Sequence, residues 1–240
     1  MIDDLTLLHQ LNTKTLNNEI NLFSPKDSYR TRGYGGISSK TGGTNIENGV
    51  IVYYNLKNYD SSRDSLSISF SDMDGKIIKT YSNHDKKNSL IAQKGSNKFV
   101  WDTKHGGAEV LDGMIFWSAS FSGAKSVPGK YRVTLNKNGV KSSKIFEILI
   151  DPRSEVEVLD IQKQLDFVNS INETVDNAHK AIKKIREINK KLKEFESNFG
   201  ESNLVIDLIL KTKELREKLS NVEKALYQTQ NRSNQDPLNF

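Results

Sequence analysis

"GKYRVTLNKNGVKSSKIFEILIDPR", residues 129–153, holds two periodicities side by side. Tyr131, Val133 and Leu135 alternate with polar residues, Asn138-Gly139 interrupts, and Phe146, Ile148 and Ile150 alternate back. Alternation sends successive side chains to opposite faces of a strand. Asn-Gly supplies the two positive-φ positions of a tight hairpin turn. The stretch therefore predicts a β-hairpin, one face buried, that runs straight into Asp151-Pro152.

Downstream of that dipeptide the period changes. Ile161, Leu165, Val168, Val175, Ala178, Ile182, Ile185 and Leu192 recur mostly at three- and four-residue steps or their sums. Leu208, Thr212, Leu215, Leu219, Val222 and Leu226 form a second such stripe. Between them "SNFGESN" (197–203) offers Gly200 as a helix stop and Ser202 or Asn203 as the next cap. The reading is two helices of about 40 and 28 residues, roughly 60 and 40 Å long, joined as an antiparallel hairpin. Asp151 or Ser154 is the expected cap of the first helix, with Pro152 in its first turn. Pairing outward from Gly200 sets Leu208 near Leu192, Leu215 near Ile185 and Leu226 near Val175. Ile161, Leu165 and Val168 are then left as a candidate docking surface, for the β-part of the chain, a further helix or a second copy.

Upstream, the period is two. "VIVYYNLKN" (50–58), "SLSISFSDMDGKIIKTYS" (65–82), "NKFVWDT" (97–103) and "MIFWSASFSG" (114–123) each read as a strand or a hairpin. Six or seven short strands over about 100 residues predict an antiparallel β-sandwich. Residues 1–45 are poorly periodic, and five glycines in 30–48 mark a linker. The expected fold is thus α+β and multi-part: an Ig/FnIII-like antiparallel β-sandwich followed by a long antiparallel α-helical hairpin. The expected boundaries are an extended N-terminal segment at 1–45, the sandwich at 46–151, the helical hairpin at 152–231 and a tail at 232–240.

Composition narrows the function. The 240 residues are 35% hydrophobic and 27% charged, lean for a single globular core. No apolar run approaches the roughly 18 residues that span a bilayer. "MIDDLTLLHQL" is acidic where a signal peptide is basic. With no cysteine there are no disulfides and no thiolate-bound metals, a composition that fits a reducing or an export compartment. The net charge is +5; residues 1–150 carry 20 Lys and Arg against 14 Asp and Glu, and the remainder 15 against 16. The excess is scattered, whereas nucleic-acid binding calls for a stripe or patch.

No catalytic constellation emerges. His9, His84, His105 and His179 lie in different segments without metal-ligand spacing. The acids of "SDMDG" (71–75) resemble half a calcium loop, but an Asp-Gly turn explains them and no bidentate Glu follows. No G-x-S-x-G occurs. Trp101 alternates with Phe99 and reads as core. Trp117 and Phe116 are the candidates for stacking on sugar rings, whose apolar faces suit exposed aromatics. The basic face of "KAIKKIREINKKLK" reads as solvated.

The order "DDLTLLHQL" (3–11), "LFSPKDSYR" (22–30), "DMDGKIIKTYS" (72–82), "NKFVWDT", "PGKYRVTL" (128–135), "DPR" (151–153), two long helices and "QDPLNF" (235–240) resembles the C-terminal part of a bacterial family. The family is the sortilin-like (VPS10-type) BNR/Asp-box repeat proteins, often labelled glycosyl hydrolases or photosystem II stability factor-like. In it a β-propeller precedes an Ig-like or FnIII-like sandwich and a helical segment. The chain departs from the family pattern: no S-x-D-x-G-x-x-W box is present, and Met73 stands where its Asp would fall ahead of Gly75. The resemblance implies a non-catalytic accessory module that docks on its own N-terminal propeller or on a separate propeller chain. It also implies a periplasmic, cell-surface or secreted parent protein, with any hydrolase activity in the propeller. A protein partner or self-association through the helices fits the same reading. No cofactor, metal, nucleic acid or membrane span is expected. The alternative is a carbohydrate-binding module that uses Trp117 and Phe116.

Overall fold

The computed structural model describes residues 5–31, 46–115, 120–199, 205–227 and 233. It is α+β, with two β-sheets and a long helix in the C-terminal part. Two short helices, α1 (Thr6–Gln10) and α2 (Thr13–Asn17), precede the strands β1 (Ile20–Leu22), β2 (Ser28–Arg30), β3 (Val50–Leu56), β4 (Leu66–Ser71), β5 (Ile77–Ser82), β6 (Gly95–Trp101), β7 (Gly129–Lys137) and β8 (Val140–Ile150). Helices α3 (Val158–Phe199) and α4 (Ile206–Leu226) follow. The chain divides into two compact units, residues 1–106 with 123–168, and residues 107–122 with 169–240.

The first unit contains both sheets. One has the order β1-β3-β6 and is antiparallel; the other has the order β2-β8-β7-β4-β5 and is antiparallel except for β2, which runs parallel to β8. Their inward faces share one hydrophobic cluster. Val50, Val52, Tyr54 and Leu56 of β3 meet Leu66, Ile68 and Phe70 of β4, Tyr131, Val133 and Leu135 of β7, and Phe146 and Ile148 of β8. Trp101 is fully buried at the centre. Its ring stacks on Phe70 at 4.3 Å between centroids, meets Tyr131 and Phe146 edge-on, and donates from Nε1 to the Lys104 carbonyl. The β7–β8 hairpin turns as expected, with Asn138 at φ 51° and Gly139 at φ 90°. The Asn138 side chain also accepts from Ser65 N and donates to Asp64, which ties the turn to the chain entering β4.

Residues 1–45 are not merely an extended segment. Ile20, Leu22 and Phe23 are buried, β1 edges one sheet and β2 the other. Gln10 clamps Ser24, donating to its carbonyl at 3.0 Å and accepting from its N–H at 2.7 Å. Buried Lys137 at the end of β7 pairs with Glu19 and donates to the Asn58 carbonyl, with Asp64 at 3.7 Å. The expected linker from 32 to 45 and the tail at 232–240, Ser233 apart, lie outside the described residues, as do residues 116–119 of "MIFWSASFSG".

The joint after β8 also differs from expectation. Asp151 and Pro152 do not open the helix: Ser154 N bonds to the Asp151 carbonyl, Arg153 grips the Asp151 carboxylate, and α3 begins at Val158. The Asp carboxylate is taken by its own neighbour, so it cannot cap. The compact units consequently do not follow the expected boundaries at 151 and 152. The first turns of α3 belong with the sheets, because Ile161 and Leu165 bury themselves with Val127 against Ala124 and Ile150.

In the second unit the rest of α3 turns Ala178, His179, Ile182 and Ile185 inward, in line with the expected stripe. His179 Nδ1 donates to the Glu109 carbonyl, Lys183 pairs with the Glu109 carboxylate, and Asp176 accepts from Glu109 N. Arg186 pairs with Glu223 at 2.7 Å and Arg216 with Glu196, so α4 runs antiparallel to α3. The stripe expected for α4 is corrected. Ile209 and Thr212 are buried and Leu219 half-buried, whereas Leu208, Leu215, Val222 and Leu226 are exposed. The ion pairs also shift the partners by about three turns from a pairing centred on Gly200.

Candidate functional site

The first unit has a cleft of about 1000 Å³ where β2, β8 and the start of α3 meet. Pairing makes it: β2 lies parallel to β8 with Arg30 opposite Ile150, the last residue before the Asp151 turn. An isolated backbone bridge between Lys104 and Lys125 brings Lys125 to the same place. The walls combine Ile150 and Ile161 with Arg30, Lys125, Arg153, Asp151 and Asp160.

The charges are not balanced in pairs. Arg153 forks onto Asp151, from Nε at 2.9 Å and from its terminal nitrogen at 2.7 Å. That hydrogen-bonded pairing pulls the Asp151 carboxyl down to about 2. Asp160 holds Lys163 at 3.0 Å. Arg30 instead donates from Nε to the Ser126 carbonyl at 3.1 Å and reaches the Gln164 amide oxygen at 3.4 Å. Lys125 donates to the Thr31 carbonyl. Among the described residues no carboxylate lies within ion-pair distance of either. Burial lowers the pKa of both; for Lys125 the nearby charges of Arg30 and Lys104 add to this and Asp102 opposes it. These groups are donors with fixed positive charge, suited to holding an anion and unsuited to accepting a proton at neutral pH.

The sequence-derived candidates are placed elsewhere. Trp117 and Phe116 lie outside the described residues. Ile161 and Leu165 are buried and Val168 is half-buried, so this row is covered by the chain itself. His9 and His84 are exposed and separate. His105 Nε2 is buried without a hydrogen-bond partner among the described residues, and desolvation lowers its pKa. Asp72 of "SDMDG" closes its own loop by accepting from Lys76 N at 2.8 Å. Among the described residues no group of three His, Cys, Asp or Glu is arranged to hold a metal, and no helix is long and apolar enough to cross a membrane. Arg30 and Lys125 carry no motif; they become neighbours only through strand pairing.

No protein-family model matches the chain, and no curated protein matches it significantly.

Proposed function

We propose that the chain is an accessory interaction module of a sortilin-like, BNR/Asp-box repeat protein, acting by docking and not by catalysis. In this reading the two sheets form an Ig/FnIII-like sandwich and the two long helices a hairpin arm. Strand order supports the first half. Taken in chain order, β1, β3 and β6 correspond to strands A, B and E of one sheet, and β4, β5, β7 and β8 to C, C′, F and G of the other. Tyr131, near the start of β7, donates its hydroxyl to the Val127 carbonyl at 2.6 Å, the geometry of the tyrosine corner found on strand F of such sandwiches.

The observation that carries the functional reading is the root of α3. The helix does not leave the sheets through a free linker; Ile161 and Leu165 bury their side chains with Val127 before it continues to Phe199. The turns of α3 packed on the sheets form part of the surface of this unit, which suits docking on a propeller. Co-expression with an Asp-box propeller polypeptide tests this. A stable 1:1 complex by light scattering is the expected result. No complex, together with glycan-array binding lost on Trp117→Ala, would replace this reading with the carbohydrate-binding one.

A further inference from the structure

We infer that the cleft beside the Asp151 turn is a binding site for a small dianionic ligand, a phosphate ester or a dicarboxylate, held by Arg30 and Lys125. The inference does not depend on the sortilin-like reading.

Arg30 and Lys125 are both half-buried and line the same cleft, Arg30 bonding the carbonyl of Ser126 next to Lys125 and Lys125 the carbonyl of Thr31 next to Arg30. Their hydrogen bonds to the Ser126 and Thr31 carbonyls satisfy N–H groups but neutralise no charge. A side chain placed out of water with its full charge is ordinarily matched by an opposite one. The two carboxylates on the cleft wall are already engaged, Asp151 by Arg153 and Asp160 by Lys163. Among the described residues neither side chain forms an ion pair, and Asp102 acts on Lys125 only from beyond ion-pair distance; two positive charges therefore line the cleft, and a ligand with two negative charges matches them.

The donors left over fit that class. Lys125 retains two of its three protons beyond the Thr31 contact, and Arg30 retains terminal N–H groups beyond Ser126 and Gln164. Guanidinium and ammonium together suit the tetrahedral oxygens of a phosphate or a pair of carboxylates. The space of about 1000 Å³ admits more than the bare anion, and Ile150 and Ile161 offer an apolar surface to the body of the ligand.

Titration of the full chain with inorganic phosphate and with citrate, at constant ionic strength, tests the inference. Followed by NMR of the side-chain N–H groups, saturable shifts are expected at Arg30 and Lys125. Arg30→Gln and Lys125→Met should each weaken binding by about tenfold, the loss of one charge-assisted contact. Lys125→Arg, which keeps the charge, should stay within about threefold of the native chain. Tighter phosphate binding would identify a phosphoryl ligand, and tighter citrate binding a carboxylate one. Shifts that grow linearly without saturating, saturation centred on residues away from the cleft, or affinity unchanged in both charge-removing variants would overturn the inference. If a variant fails to fold, the location of the shifts in the native chain decides the matter.

Discussion

Trp101 organises the sheet core. Its indole touches residues of β4, β7 and β8 while its own strand pairs in the other sheet, so truncation leaves a cavity that neither sheet can fill alone. Trp101→Ala should cost about 3–5 kcal/mol by chemical denaturation; an unchanged midpoint would contradict its central place. Tyr54 makes the opposite case. Its hydroxyl is buried without a hydrogen-bond partner among the described residues, and burial pushes its pKa up. Tyr54→Phe removes an unsatisfied polar group and keeps the ring, so stability should hold or rise by about 1 kcal/mol. Glu19 supplies a pH dependence. Its hydrogen bond with Lys137 lowers its pKa on folding. A carboxyl depressed in the folded state stabilises above its unfolded pKa and loses that contribution as pH falls through the folded one. The stability gap between the native chain and Glu19→Gln, measured by urea unfolding, should therefore be open at pH 7 and narrow below about pH 4.

The two faces of α4 separate what sequence reveals from what it conceals. Leu208, Leu215 and Val222 repeat every seven residues and look like the buried row, yet Ile209, Arg216 and Glu223 take the inward positions beside Thr212 and Leu219. The reason is across the gap: Arg216 meets Glu196 and Glu223 meets Arg186, so charged residues take inward positions as ion pairs. Polarity at one position cannot report a partner on another helix. Replacing Leu208, Leu215 and Val222 together by Gln should leave helicity intact and cost no more than about 1–2 kcal/mol, while Ile182→Ala alone should cost about 2–5 kcal/mol. Circular dichroism melts compare the two, and the reverse order would restore the Leu208 row as the buried one. Where the pattern is local it reads correctly. The Asn138-Gly139 turn, the alternation of β7 and β8 and the inward stripe of α3 are all visible in the chain. Ile20–Leu22 is too short to show a period, and the parallel pairing of β2 has no local signature. The Arg30–Lys125 cleft has no local signature either, since its residues meet only through the β2–β8 pairing and the chain's return at the Lys104–Lys125 bridge.

For the whole chain, the decisive relation is between its beginning and its middle. Glu19 neutralises Lys137, Gln10 clamps Ser24, and Ile20, Leu22 and Phe23 enter the cover of the sheets. Burying three such side chains is worth on the order of 5 kcal/mol, comparable with the entire stability of a typical domain. The first turns of α3 add Ile161 and Leu165 from the other direction. The sheets are therefore not a self-sufficient block from residue 46 to 151, but a core completed by segments on both sides. Thermal unfolding of a chain that begins at residue 46 tests this most directly. The cooperative transition of the sheets should be lost or fall by more than about 15 °C, as expected for several kcal/mol in a unit of this size. A transition within about 2 °C of the full chain would contradict it.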